Sequence, residues 1–140
     1  MALKVSRIPV WAASIEDKPG GLAGKLGALA KAGANLEFIF ARRATDRPGG
    51  GVVFLTPVRG ATQIRAAKAA GFQSIARVHS VRVEGPDKPG LAAKVTAALG
   101  AAELNLRGFS GTGYGKNGVL FLAFDDADDA AKAIRLLKKL

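Results

Sequence analysis

From Ile8 to Ile15 the side chains alternate, with Trp11, Ala13 and Ile15 on one side and Val10 on the other, the period of a single strand. Asp17-Lys18-Pro19-Gly20 follows as a turn, and Pro19 suits the first position of a helix, where a missing N–H costs nothing. Leu22, Leu26 and Leu29 then recur at helical spacing and form one apolar stripe. Gly24 and Gly27 interrupt that helix, each at about 1 kcal/mol against alanine, which predicts another backbone passing close by. Gly33 supplies a left-handed residue to end it. Strands over Leu36–Ala41 and Val52–Val58 flank a basic loop containing Arg47-Pro48-Gly49-Gly50. An alanine-rich helix over Ala61–Ala70 ends at Gly71, and Phe72–Glu84 reads as extended throughout.

The order then recurs. Asp87-Lys88-Pro89-Gly90 leads into a helix from about Pro89 to Ala101, with Leu91, Val95 and Ala98 on one side. Strands follow over Leu104–Gly111 and Gly118–Phe124. Asp125, Asp126, Asp128 and Asp129 open a last helix, where negative charge meets the positive end of its dipole; Ile134 and Leu137 face its core, and Lys138-Lys139 suit its end. In both copies an asparagine, Asn35 or Asn105, stands 16 residues after the proline. Such self-similarity defines one small unit used twice. We place the units at residues 1–78 and 79–140, with the junction near Val78–Ser80 and almost no linker. The second copy stops one strand short of β-α-β-β-α-β. An open sheet edge invites pairing, and residues Ala2–Arg7 are spare to fill it, from within the chain or from a partner.

At 140 residues without cysteine, the chain has length for a core without staples, and disulfides, thiolate metal sites and cysteine nucleophiles are excluded. The apolar run after Lys4 and Arg7 is too short for a membrane span or a signal peptide, so the expected location is cytoplasmic. The net charge of +10 is uneven, +8 over residues 1–78 and +2 over 79–140. Such a surplus steers anions or nucleic acid toward the surface, or simply solvates it.

Strand, Asp-x-Pro-Gly, helix, Gly-x-Asn-hydrophobic, hairpin and second helix together resemble the ACT domain, an amino-acid-binding module, here as a tandem pair over nearly the whole chain. The resemblance implies an α+β fold of two ferredoxin-like units with antiparallel sheets, helices on one face, and the second unit lacking its last strand. It also implies free amino acids bound where units pair, in a homodimer that transmits binding to a regulated protein partner. The carried-over ligand-binding positions are Asp17, Lys18, Pro19, Gly20, Gly21, Leu22 and Asn35, then Asp87, Lys88, Pro89, Gly90, Leu91 and Asn105. The residue chemistry agrees. Bare amides at Gly20 and Gly21 suit a carboxylate at a helix N-terminus, Asp17 suits an ammonium, and a carboxamide such as Asn35, expected beside that loop, addresses both. The alternative is that the turn only starts a helix and Asn35 only caps backbone. Two departures favour the first site: Glu103 stands where Gly33 stands, so the second helix should end differently, and Ala92 replaces Leu22.

Other motifs carry less. Ser110 to Lys116 has glycines but lacks the phosphate-loop spacing and precedes a strand, so it reads as a hairpin tip. His79 is the only histidine, which leaves zinc or triad chemistry little to build with. No cofactor, metal site or catalytic pair is expected. The competing class is RNA binding on a basic ferredoxin-like sheet, with Phe38, Phe40, Phe54, Phe121 and Phe124 as stacking candidates.

Overall fold

A computed structural model describes residues 3–75 and 78–140. Its elements run β1 (Lys4–Ile8), β2 (Trp11–Glu16), α1 (Gly21–Lys31), β3 (Phe38–Arg43), β4 (Gly50–Thr56), α2 (Gly60–Ala69) and β5 (Gln73–Ser74), then β6 (His79–Pro86), α3 (Leu91–Ala101), β7 (Gly108–Tyr114), β8 (Asn117–Phe124) and α4 (Ala127–Leu137). They form two compact units. The first is Pro9–Ile75, and the second joins residues 3–8 to 78–140.

Each unit is an antiparallel four-stranded sheet, ordered β3-β4-β2-β5 in the first and β1-β6-β8-β7 in the second. In the first, register sets Trp11 opposite Leu55 and Ala13 opposite Val53, so all four share one face. They are buried there with Leu29 of α1 and Ala67 of α2. In the second, Val81 and Val83 lie opposite Leu122 and Leu120, covered by Val95, Leu99, Ala130, Ala133 and Leu137. The tandem ferredoxin-like architecture expected from the repeats is therefore present.

The edge left by the missing strand is filled from within the chain. β1 pairs antiparallel with β6, from Lys4 opposite Glu84 to Ile8 opposite Ser80, and Leu3 and Val5 are buried in the second unit's core. The single strand expected over Ile8–Ile15 is corrected: it breaks at Pro9-Val10, where proline removes a ladder donor, and the two pieces serve different sheets. The unbroken run expected over Phe72–Glu84 falls partly on Ala76 and Arg77, which lie outside the described residues. On either side, strand covers only Gln73–Ser74 and resumes at His79.

The helices supply three more corrections. Pro19 does not open α1; Gly20, at φ 85°, is the residue before the first turn. α3 does not end differently from α1. Gly33 N–H donates to the Ala30 carbonyl and Ala34 N–H to that of Leu29, and Glu103 and Leu104 repeat both bonds to Gly100 and Leu99. Glu103 adopts the left-handed conformation, φ 59°, that Gly33 adopts at 84°. A side chain there costs on the order of 1–2 kcal/mol, so Glu103→Gly is expected to stabilise the second unit by about 1 kcal/mol, read from urea unfolding. Among the described residues, the backbone expected near Gly24 and Gly27 is also absent: a Cβ at either meets nothing within 4 Å. Alanine at each exposed site should therefore stabilise the first unit by about 0.5–1 kcal/mol, seen as a raised Tm. The acidic start of α4 is as expected, with Asp126 Oδ1 accepting from Asp129 N–H at 2.7 Å.

Candidate functional site

The recurring Asp-Lys-Pro-Gly builds the same backbone turn twice. Asp17 N–H donates to the Gly49 carbonyl at 3.0 Å, Lys18 N–H to that of Glu16 at 2.9 Å, and Gly21 N–H to that of Lys18 at 3.1 Å. Asp87, Lys88 and Leu91 donate correspondingly to Lys116, Pro86 and Lys88. Each turn is pinned to the tip of its neighbouring hairpin, and each helix starts behind a left-handed glycine, Gly20 or Gly90, with no capping side chain and no acid in the first turn. The bare amide expected at Gly21 is therefore corrected, since it is committed to Lys18 as that of Leu91 is to Lys88. Only the following first-turn amides are left for solvent or a ligand.

The surroundings of the turn distinguish the two places. In the first unit an open cleft of about 590 Å³ is lined by Ser14–Glu16 of β2, by Lys18, Gly20, Gly21 and Lys25, and by Arg47–Gly50 of the β3–β4 hairpin. Three features hold it open. β5 pairs only with Trp11 and Ala12, so among the described residues Ser14–Glu16 have no strand partner on that side. Position 21 has no side chain, and a Cβ there would run into the Glu16 carbonyl. The hairpin turns through Thr45–Gly49, where the second unit uses only Gly115-Lys116.

In the second unit Leu91 occupies the position of Gly21. Its side chain lies over Gly85 and Gly118, where an added Cβ would approach its methyl carbons to 3.2 and 2.8 Å, and Leu3 closes on Gly85 from β1's side. The bulk has changed hands. The first unit has Ile15 on the strand and glycine on the helix; the second has Gly85 on the strand and leucine on the helix.

The charged groups are mostly committed. Lys18 Nζ lies 2.7 Å from a Glu16 carboxylate oxygen, and this hydrogen bond, reinforced by the charge, holds the Glu16 carboxyl below its usual pKa and raises that of Lys18. Asp17 accepts from Arg43 Nε at 2.9 Å, so it is not free for a ligand's ammonium. Lys25 Nζ donates to the Ala70 carbonyl, and Arg47 donates to that of Gly51 at 3.2 Å.

Of the positions singled out in sequence, Lys18, Gly20 and Gly21 come together at the cleft. Leu22 packs on the first core and Leu91 on the second. Pro19, Lys88, Pro89 and Gly90 are exposed turn residues, and Asp87 lies beside Gly113. Asn35 is not beside the loop. It follows the C-terminus of α1, while Gly20 precedes its N-terminus, and eleven helical residues separate them by about 16 Å. Asn105 stands likewise after α3, and both asparagines are exposed. Sequence reading missed Ser14, Glu16, Lys25 and Arg47. The signal available was the hairpin, since antiparallel pairing of Glu16 with Gly50 brings its tip to the turn.

His79 begins β6, and its Nδ1 meets Arg7 Nη2 at 2.7 Å. Ser110 to Tyr114 is strand, with the hairpin tip at Gly115-Lys116. Among the described residues, no helix is long and apolar enough to cross a membrane.

The ACT domain family model matches residues 79–140. No curated protein sequence matches the chain. Among solved structures, a protein of Bacteroides thetaiotaomicron superposes with a TM-score of 0.78 at 16% identity, over 94% of this chain and 88% of that one. The regulatory subunit of aspartate kinase from Thermus thermophilus, in a ligand-free form, superposes at 0.66 and 16% identity over 99% and 96%. E. coli aspartokinase III in complex with lysine and aspartate superposes at 0.58 and 18% identity, over 99% of this chain but 32% of that one. Residues 79–140 thus match the ACT domain family, and the chain as a whole shares its fold of two ferredoxin-like units with these structures.

Proposed function

We propose that this protein is a non-catalytic sensor: a free amino acid binds in the first unit's cleft and changes how the chain, as a cytoplasmic homodimer, engages a regulated partner. The observation that carries the reading is the cleft of about 590 Å³ at an uncapped helix start, walled by Lys18, Lys25 and Arg47. A carboxylate is favoured there by the first-turn amides that follow Gly21 and by charge-assisted hydrogen bonds. Similarity in fold to the regulatory subunit of an aspartate kinase, and to an aspartokinase held with lysine and aspartate, supports a regulatory role. The proposal puts one ligand in each chain, at the first unit, because Leu91 and Leu3 fill the corresponding space in the second. Asn35 would reach that ligand only from a second copy of the chain.

The test is a thermal-shift screen of all twenty amino acids. Ligand at a hundredfold excess over Kd adds about 2.7 kcal/mol, so a clear rise in Tm is expected for one or a few of them. No rise with any of the twenty would end the proposal. One observation favours RNA instead: Phe40, 44% exposed, stacks on Phe54 at 6.4 Å with exposed Arg42 two residues on. Salt-sensitive binding of single-stranded RNA that Phe40→Ala abolishes would favour that reading.

A further inference from the structure

We infer that the ligand of the first unit's cleft carries a second negative charge, as an acidic amino acid does; this rests on the amino-acid-binding reading above. Four charged side chains line the cleft: Glu16, Lys18, Lys25 and Arg47. Glu16 and Lys18 neutralise each other at 2.7 Å. The other two have no carboxylate partner among the described residues, since Lys25 bonds the carbonyl of Ala70 and Arg47 that of Gly51. Asp17 is held by Arg43 at 2.9 Å, and Asp46, the neighbour of Arg47 in the chain, is not on the lining.

The two unmatched cations come from different walls, Lys25 from α1 and Arg47 from the hairpin tip. One α-carboxylate balances one of them and leaves the other facing a bound ligand. A side-chain carboxylate balances the second, and the volume of about 590 Å³ leaves room for it. A cationic ligand would add like charge beside both. Glu16 is the one carboxylate on the lining, and because both side chains are largely exposed it can bridge Lys18 and the ligand's ammonium. The second unit has no such pair of walls: Val95, buried in its core, stands where Lys25 stands, and its hairpin tip offers only Lys116.

Isothermal titration of the full chain with aspartate, glutamate, asparagine, glutamine, lysine and succinate separates the cases. The inference expects aspartate or glutamate to bind at least tenfold tighter than its own amide. It also expects Arg47→Gln to weaken binding of the acid more than that of its amide and so to shrink the preference, which general damage to the fold would not do. A neutral amino acid or lysine binding more tightly than either acid overturns the inference and leaves the amino-acid reading standing. Succinate matching aspartate keeps the second charge and overturns the amino-acid reading. No binding by any of the six, together with no rise in Tm across the twenty amino acids, overturns both.

Discussion

Removing residues 1–8 is expected to unfold the second unit and leave the first folded. β1 covers the outer edge of β6, and it brings Leu3 and Val5, each 8% exposed, into that unit's core. Burying two such side chains is worth about 3–6 kcal/mol, comparable with the whole stability of a small domain. The ladder from Lys4 to Ile8 is lost as well. Trp11, the single tryptophan, is buried in the first unit, so its fluorescence reports that unit alone. The truncated chain should keep the native Trp11 signal and cooperative first transition while losing a large part of its far-ultraviolet circular dichroism. Val5→Asp in the full chain should act the same way by placing a charge in that core. A peptide of residues 1–8 added in trans should restore part of the signal. A fully folded truncated chain would contradict the assignment of β1 to the second unit.

Replacing Thr45–Gly49 with Gly-Lys, the turn that closes the other hairpin, is expected to abolish ligand binding without harming the fold. The exchange removes Arg47 and Pro48 from the cleft wall and keeps the carbonyl that holds the turn, because Lys116 plays toward Asp87 the part Gly49 plays toward Asp17. Loss of a charged hydrogen bond costs about 1.5–3 kcal/mol, which corresponds to a fall in affinity of about ten- to over a hundredfold. Shortening a surface loop changes stability only slightly. Unchanged affinity in the hairpin exchange would place the ligand elsewhere.

The repeat made most of the architecture legible before any coordinates. Identical turn residues and identical proline-to-asparagine spacing report two copies of one backbone, down to the same hydrogen bonds. Boundaries were less legible, because alternation continues smoothly across Pro9 even though the strands on either side belong to different sheets. Glu103 misled because a left-handed position predicts glycine; there, Leu104, 8% exposed, and two backbone bonds evidently outweigh the local strain. Asn35 misled for a geometric reason. Nearness to the turn in sequence pattern is undone by a helix that carries the chain to the opposite end of the unit. The contrast between Gly21 and Leu91 was visible in the sequence, but its meaning was not, since it depends on Gly85 and Gly118 lying beneath that leucine.

The central claim is that one unit receives the ligand and the other is sealed by its own side chains. An amide-resolved NMR titration of the intact chain tests it most directly, using glycine signals as markers of each place. With the amino acid that raises Tm most, the amides of Gly20, Gly21, Gly49 and Gly50 should shift and saturate together, while those of Gly85, Gly90 and Gly118 stay in place. Saturable shifts centred on Gly90 and Gly118, with Gly20 and Gly21 unmoved, would contradict it.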